Sequence, residues 1–198
     1  GMGIKINKSF VLDLQPLVSL PNKLKIKEDY FIIFPGASWS GRKWENKSFG
    51  ATGRYIFKKL GYKLMVCGLK NELDDAEEII VEAGLSVRAI NLAGQTNLSE
   101  FFELIRGAKL LISNETSAIH MAAMSGTPSI CLLGGGHYGR FLPYPETFTG
   151  LKPEVVFKRM ACFHCNWKCT QPYKVGNSVP CIEGIRVNDV IKKIDEMH

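Results

Sequence analysis

The chain has 198 residues, of which 45% are hydrophobic and 22% charged, a composition that is ordinary for a globular protein with a sizeable core. No apolar run approaches the roughly 20 residues that a membrane-spanning helix needs, so we expect a soluble protein. Twenty-five Lys and Arg residues against nineteen Asp and Glu residues give a formal net charge of +6, which favours anionic partners without choosing among nucleotides, lipid head groups and nucleic acid.

From residue 30 onward, strand patterns alternate with helix patterns. Short apolar runs predict five strands, over residues 30–34, 62–67, 87–92, 109–113 and 128–133. Amphipathic patterns between them predict four helices, over residues 47–60, 72–83, 98–107 and within 113–128. This order is typical of an α/β fold, a Rossmann-like parallel sheet with helices on both faces. Ligands of such folds bind at the carboxyl ends of the strands.

The predicted domain covers residues 30–198, and the rest of the chain is less regular. Residues 1–29 contain an extended run interrupted by prolines, which we interpret as a linker or an edge strand. The segment 141–181 has little periodicity, and the Cys-rich part of the chain, 159–184, overlaps it. A final helix is predicted over 187–197 and is expected to pack back on the sheet.

The stretch SNETSAIHMAAMSGTP, residues 113–128, joins the end of a strand to a helix. Free N–H groups of a helix N-terminus, together with hydroxyls, form an anion site at the carboxyl edge of a sheet. The alternative is that Ser113 or Asn114 simply caps the helix. His120 follows Thr116 by four residues and therefore shares its helical face, where it either reaches a ligand or serves as a core residue.

The loop PGASWSGRKW, residues 35–44, follows the first strand. Its Ser38, Arg42 and Lys43 supply a hydroxyl and basic groups suited to a diphosphate, with a surface loop over a buried Trp44 as the alternative. The loop GGGHYGR, residues 134–140, formally matches the dinucleotide motif G-x-G-x-x-G, but the following FLPYP does not open a helix. We therefore expect these glycines to let the backbone approach a ligand or to let the loop move.

Four cysteines lie close together near the carboxyl end: Cys162, Cys165, Cys169 and Cys181. They match the ligand set of a tetrahedral structural zinc site, but free thiols and two disulfides are alternatives that the spacing leaves open. Cys67 and Cys131 end strands and are expected to be buried.

Four segments align in order with one known family: PGASWSGRKW, VCGLKNE, NLAGQTNLSEFFELIRGAKLLISNETSAIHMAAMSGTP and CLLGGGHYGRFLPY. Together they resemble the carboxyl-terminal half of glycosyltransferase family 9, the heptosyltransferases. The resemblance covers about residues 30–195. It implies the donor-binding half of a GT-B enzyme, in which two Rossmann-like domains face each other across a cleft.

The resemblance implies inverting transfer of a sugar from a nucleotide-diphosphate donor, typically ADP-heptose, to lipopolysaccharide or another lipid-linked or polysaccharide acceptor. No cofactor is implied for catalysis, nucleic acid is not an expected partner, and the site of action is the cytoplasm, peripherally at the inner face of the membrane. In this chain the implied donor-site residues are Ser38 with Arg42 or Lys43 at the diphosphate, Glu72 at the nucleoside, and Glu115, Thr116, Ser117 and His120 around the diphosphate and sugar.

Two departures from the family pattern matter. The chain has Glu115-Thr116-Ser117 where the family usually has Asp-Thr-Gly, and the larger side chains would crowd the sugar, so the donor is not necessarily heptose. The family's amino-terminal domain, which binds the acceptor and supplies the general base, has no counterpart in the 29 residues before the first strand. We therefore expect this chain alone to bind donor but to turn over poorly or not at all, because general-base catalysis contributes about 10² to 10⁴ in rate. The missing half is expected to belong to a longer chain or to a partner.

Two other function classes remain. One is a non-catalytic module that binds a nucleotide or nucleotide sugar, which would show donor affinity but no transfer. The other is a zinc-dependent nucleic-acid-binding protein, which would account for the charge and the cysteines but for none of the loops at the strand ends.

Overall fold

The computed structural model describes residues 16, 18–21 and 24–198. Its strands are β1 (Tyr30–Phe34), β2 (Lys63–Val66), β3 (Ile90–Asn91), β4 (Leu110–Asn114), β5 (Ser129–Leu132) and β6 (Glu154–Val156). Its helices are α1 (Asn46–Leu60), α2 (Leu73–Ala83), α3 (Leu98–Gly107), α4 (Ser117–Ser125), α5 (Pro180–Glu183) and α6 (Val187–Met197).

The six described strands form one parallel sheet in the order β3-β2-β1-β4-β5-β6. The order reverses direction at β1, whose neighbours are β2 and β4, so the loops after β1 and β4 open at the same carboxyl edge. The predicted fold class, a Rossmann-like parallel sheet covered by helices, is confirmed.

Each face of the sheet is covered by its own apolar layer. On one face Phe31 and Ile33 pack with α1, α2 and α6 residues such as Phe49 and Ile194, all fully buried. On the other face Ile32 packs with residues of α3 and α4. The strands are consequently apolar on both sides, which is typical of parallel sheets.

The helix boundaries agree closely with the sequence pattern. Gly61, Gly84 and Gly126 follow α1, α2 and α4 with φ of 72°, 68° and 72°, the left-handed conformation that closes a helix and that glycine adopts without steric cost. The terminal helix α6 begins and ends where it was predicted. No helix in the described part of the chain is long and apolar enough to cross a membrane.

Two strand predictions were wrong. The third strand was predicted over 87–92 but β3 has only two residues, because a turn occupies the preceding segment: the N–H groups of Arg88 and Ala89 both donate to the carbonyl of Leu85. The short β6 lies in the segment considered irregular, and three residues that begin with a glutamate give no detectable period. Residues 16, 18–21 and 24–29 contain no strand, and the remainder of the predicted amino-terminal segment lies outside the described residues.

Candidate functional site

One cavity of about 480 Å³ opens at the carboxyl edge of the sheet, between the loops that follow β1, β4 and β5. It contains six of the eight side chains predicted from the sequence to bind the donor, together with two that were not predicted. The lining residues are Ser38, Arg42, Glu115, Thr116, Ser117, His120, His137 and Phe141.

The loop after β1 is anchored so that it presents Arg42 to this cavity. Trp44 is 2% exposed, and its indole N–H donates to the carbonyl of Ile185 at 2.9 Å. The buried Asn114 accepts from the Trp44 backbone N–H at 3.1 Å and donates to the carbonyl of Pro35 at 2.7 Å. Asn114 therefore fastens this loop to the end of β4, a different role from the helix cap considered above.

Arg42 and Glu115 form an ion pair at the centre of the cavity. The Arg42 Nη2 lies 3.2 Å from the Glu115 Oε2 and donates to the Glu115 carbonyl at 2.7 Å. The guanidinium also lies 5.0 Å from the ring centroid of Trp167, a cation–π arrangement. Burial raises the pKa of Glu115, and the Arg42 guanidinium and the neighbouring imidazoles oppose this effect. The cavity therefore contains a buried carboxylate for which the cost of burial outweighs the effect of the neighbouring cations.

The amino terminus of α4 faces the same cavity. The residue before the helix, Thr116, has extended backbone, and its side chain caps none of the first N–H groups of the helix. Its hydroxyl instead lies 3.0 Å from the Ser113 hydroxyl. The uncapped N–H groups and the helix dipole favour an anion at this end of α4.

His120 lies one turn into α4 and lines the cavity, as its spacing from Thr116 predicted. Its Nδ1 is 2.5 Å from the hydroxyl of Tyr144, and the two rings are stacked with centroids 5.8 Å apart. Tyr144 belongs to the loop after β5, and sequence reasoning assigned it no role.

His137 and Phe141 were not predicted from the sequence, because both lie in a loop without periodicity. The His137 Nδ1 is 3.5 Å from the Glu115 Oε1, which is longer than a hydrogen bond. Among described residues, the buried side-chain nitrogen and oxygen atoms without a hydrogen-bond partner include the Nε of Arg42, the Oε1 of Glu115 and the Nδ1 of His137. Each of the three atoms has almost no exposed surface, and two of them, the Oε1 of Glu115 and the Nδ1 of His137, face each other.

Lys43 and Glu72, the other two predicted residues, are not among the residues that line this cavity. The Lys43 Nζ donates to Asp75 at 2.7 Å and lies 3.8 Å from Glu72, and it borders a separate cavity of about 270 Å³. Glu72 is 5% exposed, and its carboxylate accepts from the Leu69 N–H at 2.8 Å. Its predicted contact with a nucleoside stays a prediction.

The glycine run 134–136 allows side chains, rather than a ligand, to approach the backbone. A Cβ atom on Gly136 would lie 2.5 Å from the Trp167 ring, and one on Gly135 would lie 2.5 Å from the Phe163 ring. The Cys-rich segment is thus packed directly on the loop after β5. Backbone N–H groups of His164 and Asn166 add hydrogen bonds to this loop at 2.8 and 3.1 Å.

All six cysteines are free, so the two-disulfide alternative is not realised in this structure. Cys67 and Cys131 are fully buried as predicted, and burial raises the pKa of Cys67 to about 12. The pKa of Cys181 is also raised, chiefly by burial. The neighbouring thiols of Cys162, Cys165 and Cys169 raise it further, and a hydrogen bond from the Gly135 N–H opposes these effects.

In the described part of the chain, no group of three or more His, Cys, Asp or Glu side chains is arranged to hold a metal ion. Zinc bound by the four cysteines therefore stays a prediction from their spacing.

A family model described as Glycosyltransferase family 9 (heptosyltransferase) matches residues 5–169. Lipooligosaccharide heptosyltransferase 2 of Haemophilus ducreyi is 29% identical over 99 residues, 48% of this chain and 28% of that protein. Lipopolysaccharide heptosyltransferase 3 of Escherichia coli is 30% identical over 126 residues, 62% of this chain and 36% of that protein.

Among solved structures, the ADP-heptose LPS heptosyltransferase II of Escherichia coli has a TM-score of 0.66 at 17% identity, over 93% of this chain and 54% of that one. A family 9 glycosyltransferase from Veillonella parvula has a TM-score of 0.63 at 18% identity, over 91% of this chain and 53% of that one. The chain thus spans about half the length of these two structures, and its alignments cover about a third of the two sequence relatives.

Proposed function

Because the chain belongs to glycosyltransferase family 9, the heptosyltransferases, we propose that it binds the nucleotide-diphosphate sugar of a glycosyl transfer reaction. The cavity between Arg42, Glu115 and the amino terminus of α4 holds the diphosphate and the sugar. Transfer proceeds with inversion to a lipopolysaccharide or another lipid-linked or polysaccharide acceptor, at the inner face of the membrane and with no cofactor. Heptose from ADP-heptose is the donor suggested by the family.

The observation that carries this proposal is the convergence of a basic side chain, hydroxyls and a helix amino terminus on one cavity. The Arg42 guanidinium, the hydroxyls of Ser38 and Ser117 and the uncapped N–H groups of α4 are the groups that can donate to a diphosphate there. The ion pair with Arg42 reduces the repulsion that the Glu115 carboxylate would otherwise exert on the diphosphate.

Among the described residues, the one carboxylate that lines the cavity is Glu115, which is buried and paired with Arg42, and we assign it no general-base role. We therefore propose that the base and the acceptor site belong to a second domain, as in the two-domain architecture of the family. Without that domain, the chain binds donor with little transfer. With it, in-line attack on the anomeric carbon gains about 10² to 10⁴ in rate from the base.

A thermal-shift panel tests donor binding directly. The purified chain is heated with ADP-, GDP-, UDP- and CMP-linked sugars and with the free nucleotides. A ligand at 100 times its dissociation constant stabilises the folded state by about 2.7 kcal/mol. For a domain of this size, that corresponds to a rise in Tm of roughly 5–10 °C with one nucleotide family.

Two histidine variants locate the binding. His120→Ala removes an imidazole from the cavity and should weaken donor binding about tenfold or more with the fold intact. His198→Ala removes an imidazole that packs near Tyr62, away from the cavity, and should bind as the wild type does. If no nucleotide sugar stabilises the wild-type chain, donor binding by this chain is refuted.

The second candidate is a non-catalytic module that binds a nucleotide or a nucleotide sugar. It draws on the same cavity, in which the one carboxylate of the described lining, Glu115, is paired with Arg42. Adding the amino-terminal half of a family member as a separate chain distinguishes the two. Transfer of the sugar to acceptor supports the transferase, and donor binding without any transfer supports the module.

A further inference from the structure

The loop after β5 contacts α4 through a pair of side chains, Tyr144 and His120. The Tyr144 hydroxyl and the His120 Nδ1 are 2.5 Å apart, at the short end of hydrogen-bond distances. The rings are inclined by only 27°, and Phe148 also packs against Tyr144, with ring centroids 4.6 Å apart. The tyrosine ring therefore packs against two other rings, one on α4 and one in its own loop.

The chemistry of the two groups sets the direction of this hydrogen bond. A phenol has one proton to donate, and the unprotonated nitrogen of a neutral imidazole is the stronger acceptor of the two. Burial raises the pKa of Tyr144, so its hydroxyl keeps its proton at neutral pH. Among the described residues, the hydroxyl has His120 as its hydrogen-bond partner and no other. Tyr144 therefore donates and Nδ1 accepts.

We propose that Tyr144 is a positioning residue, which fixes the tautomer of the His120 imidazole in the cavity. With its lone pair engaged by Tyr144, Nδ1 carries no proton in the neutral ring, and the proton resides on Nε2. The nitrogen left for a ligand is then an N–H donor, which suits a phosphate oxygen. The opposite tautomer would present a lone pair to the phosphate and repel it.

This inference rests on the proposed function, because it assigns His120 a diphosphate as its ligand. It goes further by naming the atom that binds, Nε2, and the residue that makes it a donor. It also links the loop after β5 to donor binding without any direct contact between Tyr144 and the ligand.

Nitrogen-15 NMR of the histidine ring tests the tautomer without any ligand. At a pH where the imidazole is neutral, the wild-type chain should show a protonated Nε2 and an unprotonated, hydrogen-bonded Nδ1 for His120. In Tyr144→Phe, the Nδ1 resonance should move toward that of a nitrogen without a hydrogen bond. A proton on Nδ1 in the wild type, or an Nδ1 resonance unchanged in the variant, would overturn the inference.

Affinity for the nucleotide sugar that stabilises the wild type supplies the second readout. Tyr144→Phe keeps the ring and its packing, and should weaken binding about two- to tenfold. Tyr138→Phe is the matched control, since Tyr138 lies in the same loop but packs its ring against Phe157 and Phe163. It should bind as the wild type does. Equal affinity in Tyr144→Phe and wild type would contradict a positioning role.

The two proposals fail in different ways. If the wild-type chain binds no nucleotide sugar, the proposed function fails, and the NMR spectra still decide which nitrogen of His120 carries the proton. If the wild type binds and Tyr144→Phe binds equally well, donor binding stands and the positioning role is refuted.

Discussion

At the scale of single residues, the most unusual group is the buried carboxylate of Glu115. It is 6% exposed, and among the described residues its Oε2 pairs with the Arg42 guanidinium while its Oε1 has the His137 Nδ1 as a neighbour at 3.5 Å. Replacing the Asp-Thr-Gly of the family pattern with Glu115-Thr116-Ser117 adds side-chain atoms at this edge of the cavity. The extra methylene carries the carboxylate further from the backbone and into the lining of the cavity.

The buried carboxylate has a predictable effect on stability. Burial raises the folded-state pKa of Glu115 above the ordinary value of 4.5, so the folded chain holds this proton to higher pH than the unfolded chain does. Stability from this group therefore increases as pH falls through the interval between the two pKa values. At neutral pH the ionised form is a net cost, and Glu115→Gln should unfold at a higher denaturant concentration than the wild type.

The pH dependence of this difference is the check. As the pH falls from 7 toward 4.5, Glu115 becomes protonated and the stabilities of wild type and Glu115→Gln should converge. Asp75 titrates outside this pH interval. Burial alone would raise its pKa, but hydrogen bonds from Lys43 and Asn46 lower it, so the contribution of Asp75 to the stability of the fold is lost only below this interval. A difference between the two proteins that stays constant from pH 7 to 4.5 would show that Glu115 does not titrate in this range.

At the scale of elements, the Cys-rich segment forms part of the support of the candidate site. Trp167 lies under the guanidinium of Arg42 and against the ring of His137, with centroids 5.4 Å apart. The same ring packs on the loop after β5, where only glycine leaves room for it. Three residues of the Cys-rich segment, His164, Asn166 and Trp167, have a positive φ, which is unusual outside glycine. The backbone conformation of this segment therefore depends on its packing against the loop after β5.

Gly136→Ala tests this packing. The added methyl would lie 2.5 Å from the Trp167 ring, and overpacking of this kind costs about 1–3 kcal/mol. Denaturant unfolding should show that loss in Gly136→Ala. In combination with Trp167→Ala, the glycine substitution should cost almost nothing further, because the clashing ring is gone. Additive losses in the double variant would mean that Gly136 is required for another reason.

At the scale of the whole molecule, helix α6 packs against helix α1 on one face of the sheet. Val190 and Ile194 of α6 are fully buried in the layer that contains α1. At the surface, the Tyr55 hydroxyl and the Lys59 Nζ of α1 both donate to the Asp195 carboxylate at 2.6 Å. The terminal helix is therefore part of the domain core.

Ile194→Ala should destabilise the entire domain by about 2–4 kcal/mol, because it leaves a cavity in this core. Lys192→Ala, on the exposed side of the same helix, should change stability by no more than about 0.5 kcal/mol. Calorimetry should show a single transition in each case. A separate early transition confined to α6, or an unchanged Tm in Ile194→Ala, would show that the helix is only loosely attached.

The sequence by itself determined the alternation of strands and helices, the glycines that end three helices, and the shared face of Thr116 and His120. These features depend on local periodicity and on backbone conformation, which neighbouring residues encode. Family membership was likewise visible in the loops at the strand ends. The same local patterns could not detect a strand as short as β6, whose hydrogen bonds come from β5.

Only the tertiary structure decided the partners of side chains in the loops. Lys43 stands beside Arg42 in the sequence, yet it turns to Asp75 on α2 while Arg42 turns to Glu115. His137 and Phe141 line the cavity, and Tyr144 reaches His120, because the loop after β5 folds back over α4. Loops have no repeating geometry, so the direction of each side chain follows from long-range packing and charge pairing. Such contacts join residues far apart in the chain, which no local pattern in the sequence reveals.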